Sequence, residues 1–331
     1  MRAIARGAGA GGATGETARA TQRAIGPGVG DGGVGVDARA VDDRESWGDG
    51  EGRWMRTRDA LGALRRRRGD ARAPARMIGG RREGRARGGT FATYDDLSPV
   101  SEPGRTLGEV LRDIGGDGSE GAWEDRLRAM ALANRLVAHH SDVVAASLRP
   151  FVLAVASCLA SLRSSVCKAA IGLVKTLACH LKGRLDGELS VVLPCILKRS
   201  AESTFLTVEA DEALLLLVDA ASPRALIATL SNHVSERRLQ SKIAMALAFC
   251  VERRGEEKSL FRGRAGRSSL ETALATMNEC IRTGNPDARA HVKRCLSTMF
   301  DVLGAEEMFE PLRRYEELSV MEQSLEYYQS S

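Results

Sequence analysis

Between residues 105 and 320, apolar side chains recur every three to four positions while polar and charged ones fill the opposite face, the period of amphipathic helices. Thr106 is placed to cap a first short helix whose inner face is Leu107, Val110, Leu111 and Ile114, and Gly115, Gly116 and Gly118 end it. A partner begins near Trp123 with Leu127, Met130, Ala131 and Leu136. The element opened by Asp142 carries Val144, Leu148, Phe151, Val155 and Leu159, with Pro150 predicting a turn or kink near its start. Its partner at 164–181 presents Val166, Ala170, Leu173, Val174 and Leu177. Further pairs follow at 185–198 with 204–220, 223–230 with 235–253, and 268–282 with 286–303. Pro194 lies inside one of these helices, while Asn285 and Pro286 form a helix-start signal. The polar segment 254–267 predicts a long mobile loop between repeats, and 305–328 predicts one or two terminal helices. No stretch shows the period of two of a strand.

A helical hairpin of this size cannot bury its apolar stripe alone, so successive hairpins stack into a solenoid with one continuous core. The expected fold is all-α, with about five to six hairpins in residues 96–331. Function in such an array belongs to an edge of loops or to a concave face. The loops inside the hairpins fall at Trp123 and at residues 163–168, 200–205, 232–242 and 284–293.

Composition divides the chain. Residues 1–90 hold most of the glycines and carry 19 Arg and no Lys against 11 acidic residues, a net charge of +8, whereas 91–331 carry 29 basic and 32 acidic residues. The basic character of the chain thus resides in its first part. So little apolar surface cannot offset the entropy of ordering, and residues 1–95 are expected to be a disordered arm. Its arginine run at 65–68 and the arginines behind it could hold a polyanion weakly by charge, and an Arg-rich start leaves an organelle transit peptide open. The G-x-G-x-x-G match at Gly7, Gly9 and Gly12 follows no strand and opens no amphipathic helix, so it reads as low complexity.

Chemistry finds little foothold. The seven cysteines lie amid apolar neighbours with no Cys-x-x-Cys pair, which reads as reduced, buried thiols. Five scattered histidines show no metal-ligand spacing, and no nucleophile elbow or lysine-bearing phosphate loop is present. No enzyme activity, cofactor, metal or small-molecule substrate is expected. The longest apolar runs fall short of the ~20 residues of a membrane helix, and no membrane partner is expected.

The loop residues resemble those of TOG domains of the CLASP and crescerin type, a family of HEAT-repeat, paddle-shaped tubulin-binding modules. In that family a Trp opens the second helix of the first hairpin, a place held here by Trp123 in Trp-Glu-Asp-Arg. The second loop of the family reads Leu-Arg-Ser-x-Val and a basic residue, matched by Leu162, Arg163, Ser164, Ser165, Val166, Cys167 and Lys168. Arg237, Arg238 and Lys242 fill the basic fourth loop, and Arg289 and Lys293 the fifth, whereas Phe205 and its neighbours match the third only loosely. The resemblance covers about 105–303. It implies a non-enzymatic module that binds the αβ-tubulin heterodimer or the microtubule lattice and regulates microtubule dynamics, in the cytoplasm, on the cytoskeleton or in a cilium or flagellum. The implied contacts are Trp123, Arg163, Ser165, Val166, Lys168, Arg237, Arg238, Lys242, Arg289 and Lys293.

The residues alone leave alternatives. Trp123 suits an exposed anchor or a staple of the first hairpin, and Val166 suits a contact or the core. A HEAT or armadillo scaffold holding a peptide in its groove has the same fold, and a nucleic-acid binder acting through the arginine arm is a third reading.

Overall fold

A computed structural model of the chain describes residues 98–115, 122–202, 205–254, 260–282 and 284–320. The arm expected at 1–95, the glycine-rich residues 116–121 and the chain end at 321–331 lie outside them. The described residues contain α-helices and short 3-10 segments and no strand. In chain order the helices are α1 (Pro103–Ile114), α2 (Ala122–His139), the short α3 (Ser141–Ala145), α4 (Leu148–Leu159), α5 (Ser164–Leu181), α6 (Leu189–Ala201) and α7 (Thr207–Ala220). They continue as α8 (Pro223–Ser231), α9 (Gln240–Arg254), α10 (Gly263–Arg282), α11 (Pro286–Leu303) and α12 (Ala305–Leu312).

Two layers result. Helices α1, α4, α6, α8 and α10 pack in sequence along one layer, α2, α5, α7, α9 and α11 along the other, and each hairpin joins one helix of each. The apolar stripes meet between the layers in one core running from Leu107 to Leu318. Truncating a buried leucine such as Leu173 or Leu214 to alanine is expected to cost about 2–5 kcal/mol, because the stacked neighbours cannot fully collapse into the cavity. Helix α9 is the most enclosed: every residue from Ile243 to Val251 is buried, and the alanines at 244, 246 and 248 let neighbouring helices approach closely. A helix surrounded on all sides loses its polar face, and with it the clear period of a surface helix.

Proline and glycine set several boundaries. The element expected from Asp142 is broken at Ala146 and Ser147, so Pro150 lies in the first turn of α4, where its missing N–H would have had no helical partner anyway. The helix expected from residue 185 starts at Leu189, after a 3-10 segment Lys182–Glu188, and Pro194 is accommodated inside it. Of the long loop expected at 254–267, residues 255–259 lie outside the described residues, and the rest is corrected, since α10 begins at Gly263 and Leu260 and Phe261 are buried. Gly266 explains part of this closure: a Cβ there would come within 2.4 Å of the Phe261 backbone. The sequence reads as polar because its two apolar anchors, Leu260 and Phe261, are outnumbered.

The seven cysteines are thiols rather than disulfides, and Cys158, Cys167, Cys250, Cys280 and Cys295 are buried. Burial pushes the Cys280 thiol up to about 12 and raises that of Cys295 further. These groups act as small apolar side chains of the core. Among the described residues no helix is long and apolar enough to cross a membrane, and no cluster of three or more metal-ligating side chains occurs.

Candidate binding edge

The second helices of the hairpins all begin at one edge, and contacts between their first turns establish it residue by residue. At the start of α2, Trp123 is half-buried and packs against the core, while the guanidinium of Arg163, just before α5, lies 4.5 Å from its ring centroid. Such stacking contributes about 0.5–1 kcal/mol at an exposed site. From the first turns of α5, Lys168 reaches Glu209 of α7 at 3.6 Å. Asp211 of α7 accepts two bonds from Lys242 of α9, at 2.7 and 2.9 Å. His291 of α11 lies within electrostatic reach of Lys242. One row of contacts therefore runs from loop 1 to loop 5. Helix N-termini aligned this way add positive partial charge to the edge.

Each first turn has its own local cause. Arg163 precedes α5 in an extended conformation, and its backbone N–H donates to Ser161 Oγ at 3.2 Å. Before α9, a 3-10 turn Arg237–Leu239 buries Leu239 and turns Arg237 and Arg238 to solvent, and Gln240 closes the loop by donating to the Val234 carbonyl at 2.9 Å. Asn285 caps α11, its side-chain oxygen accepting from the N–H groups of Asp287 and Ala288 at 2.9 and 3.2 Å, with Pro286 following. Gly284 enters the turn at φ +76°, a region that disfavours side chains. Ala288 and Val292 then face the core, which leaves Arg289 exposed on the flank and Lys293 half-buried.

The charged groups divide into two sets. Lys242 and Asp211 keep only 19% and 10% of their side-chain surface, and Ser200 donates a further short hydrogen bond to Asp211, so this is an interior ion pair. Lys175, about two turns beyond Lys168 on α5, bonds Glu209 and Glu212 at 2.6 Å each. Burial pushes the Glu209 carboxyl up, but the hydrogen bond and charge of Lys175, with Lys168, outweigh it and hold the carboxyl below its ordinary value. Burial and the charges of Arg294 and Lys242 lower His291 to about 4, so its ring is neutral at pH 7. Arg163, Arg237, Arg238 and Arg289, by contrast, are exposed.

Two of the sequence expectations need correction here. Val166 is 1% exposed and belongs to the core, where the helical period of α5 turns it away from the edge. Lys242 is not a solvent-facing loop cation but the partner of a buried carboxylate. Lys168 is intermediate, shared between solvent and Glu209, and Ser165 is half-buried. Trp123 combines the two roles that its sequence position left open, being packed on the core and present at the edge.

Several residues that shape this edge escaped the sequence pattern. Asp211 and Glu209 interrupt the apolar run of α7, the one available signal that something basic must lie opposite. Arg199, at the end of α6, gives no such signal, although it donates to the carbonyls of Leu159 and Ser161 and pairs with Glu202. Leu162 at 102% and Phe205 at 71% relative exposure are large apolar side chains left in solvent on loops 2 and 3.

Known proteins resemble this chain in sequence and in fold. The sequence pattern of the CLASP N-terminal family matches residues 119–311, more than half of the chain. TOG array regulator of axonemal microtubules protein 1 of Mus musculus is 28% identical over 164 residues, which is 47% of this chain and 9% of that protein. The Homo sapiens protein of the same name is 30% identical over 138 residues, 41% of this chain and 8% of that protein. The chain thus spans under a tenth of the length of these relatives. A solved TOG domain of C. elegans Zyg9 superposes with a TM-score of 0.50 at 13% identity, covering 72% of this chain and 91% of that one, which is a likeness of fold. Fold and sequence pattern agree: the chain has the HEAT-like solenoid of a TOG domain and belongs to the CLASP N-terminal family.

Proposed function

We propose that residues 96–331 form a non-enzymatic module that binds αβ-tubulin, as the free dimer or in the microtubule lattice, through the edge of intra-hairpin loops. One observation carries this reading: Trp123 and Arg163 stack at one end of an edge on which Arg237, Arg238 and Arg289 are also solvent-facing. An aromatic anchor with one arginine on its ring and others further along the same edge suits a folded acidic surface, since the cations steer encounter and the ring supplies desolvated contact area. The relatives bear the name of a regulator of axonemal microtubules, which supports a place on the cytoskeleton, in a cilium or flagellum included. The arginines of residues 1–95 would add sequence-independent attraction to an acidic polymer.

Gel filtration of the full chain with purified αβ-tubulin, accompanied by microtubule pelleting, tests the reading. Co-migration or co-pelleting that Trp123→Ala weakens by about tenfold or more supports it. Absence of the wild-type chain from both tubulin fractions at low salt would refute it.

A further inference from the structure

Leu162 stands fully in solvent at 102% relative exposure, yet the loop that carries it is held on both sides. Before it, Arg199 reaches across from the last turn of α6 and donates through Nε to the Leu159 carbonyl at 2.7 Å and through Nη2 to the Ser161 carbonyl at 3.2 Å. The third arm of the same guanidinium, Nη1, bonds Glu202 at 2.8 Å, fixing the fork in place. After it, the Arg163 N–H is tied to Ser161 Oγ and its side chain rests on Trp123. A slack loop would fold a leucine back onto the adjacent core. This one is pinned at its backbone with the leucine outward.

A large apolar side chain presented on a rigid support loses little conformational freedom on docking, the usual condition of a binding hot spot. Its surroundings indicate what it meets. Arg163 follows it directly, and the exposed arginines of loops 4 and 5 lie along the same edge, so the complementary surface is apolar at this point and acidic around it. A second copy of this edge would bring like charges together and is disfavoured.

We propose that Leu162 is the apolar tip of the edge, inserting into a shallow apolar depression on tubulin, and that Arg199 is the positioning residue that holds it out. The inference rests on the tubulin reading above and can fail while that reading stands.

Sedimentation-velocity titration of the full chain with αβ-tubulin tests it with Leu162→Met, Leu162→Ala, Leu162→Asp, Arg199→Lys and the Leu162→Ala/Arg199→Lys pair, beside Trp123→Ala. A lysine at 199 keeps the charge but not the fork that spans two carbonyls. Leu162→Met should bind within about twofold of wild type, Leu162→Ala about tenfold more weakly, and Leu162→Asp at background. Arg199→Lys should weaken binding about threefold to tenfold alone and add nothing once Leu162 is Ala, a non-additivity that loss of general stability would not produce. If Leu162→Asp binds as wild type while Trp123→Ala does not, the tip is refuted and the tubulin reading stands. Additive effects of the pair would refute the positioning role, and a wild-type chain that never binds would overturn both proposals.

Discussion

Lysines and arginines along the edge are used differently. Lys242 is turned inward onto Asp211, and Lys168 and Lys175 converge on the acids of α7, so these cations hold neighbouring helices in register. Arg163, Arg237, Arg238 and Arg289 remain in solvent. The same positive charge counted from sequence is therefore structural in one set and available to a partner in the other. What separates them is the neighbour across the helix interface: α7 carries Glu209, Asp211 and Glu212 within its first two turns, whereas among the exposed arginines Arg238 meets only Glu236 of its own turn, at 3.4 Å, and stays 65% exposed.

The largest effect that could break this division is Lys242→Met. It leaves the Asp211 carboxylate buried with Ser200 as its remaining described hydrogen-bond partner, and removal of one partner of an interior pair costs about 3–5 kcal/mol. Urea unfolding should register that loss. An equal midpoint in the variant would mean that Lys242 is a surface cation after all.

A pH effect of about 3 kcal/mol is expected at His291, whose value is lowered to about 4 from the ordinary 6.5. Between those limits the unfolded chain binds the proton and the folded chain does not. The contribution is therefore fully present above pH 6.5 and is lost as pH falls towards 4. His291→Gln should flatten that part of a stability-against-pH curve. A slope unchanged by the substitution would place the titrating group elsewhere.

Charge reversal in the exposed set should act on binding and spare the fold. Arg237→Glu and Arg289→Glu are each expected to weaken tubulin binding about tenfold, or ~1.4 kcal/mol, with unfolding midpoints within about 0.5 kcal/mol of wild type. The smallest effect belongs to Lys168→Ala, a partly exposed pair worth under about 1 kcal/mol and weakened by salt. A loss in binding for Lys168→Ala as large as for Arg289→Glu would erase the distinction between the two sets.

The hairpins were legible because a buried stripe on a surface helix imposes its period directly on the sequence, and α5 and α11 follow that expectation closely, whereas on α2 the expected inner residue Ala131 is exposed and Ala129 and Ala133 are buried in its stead. Boundaries were harder. A single glycine under Phe261 extends α10 back to Gly263, and nothing periodic marks such a contact in a polar segment. At the edge, composition located the loop cations but not their orientation. Whether a lysine at a helix start faces solvent depends on the helix beside it, and Asp211 lies 31 residues from Lys242. Val166 illustrates the same limit, since three positions from an exposed Arg163 the helix has already turned it into the core. Leu162 was visible as part of a motif, but its full exposure depends on a guanidinium donated by the following hairpin.

The most direct measurement is a sedimentation-velocity titration of αβ-tubulin with the full chain and with its Arg237→Glu/Arg238→Glu/Arg289→Glu variant. The account predicts a saturable complex for wild type and background binding for the variant, with unchanged helical circular dichroism and unfolding midpoint. Equal binding by the two folded proteins, or no complex with the wild-type chain at low salt, would contradict it.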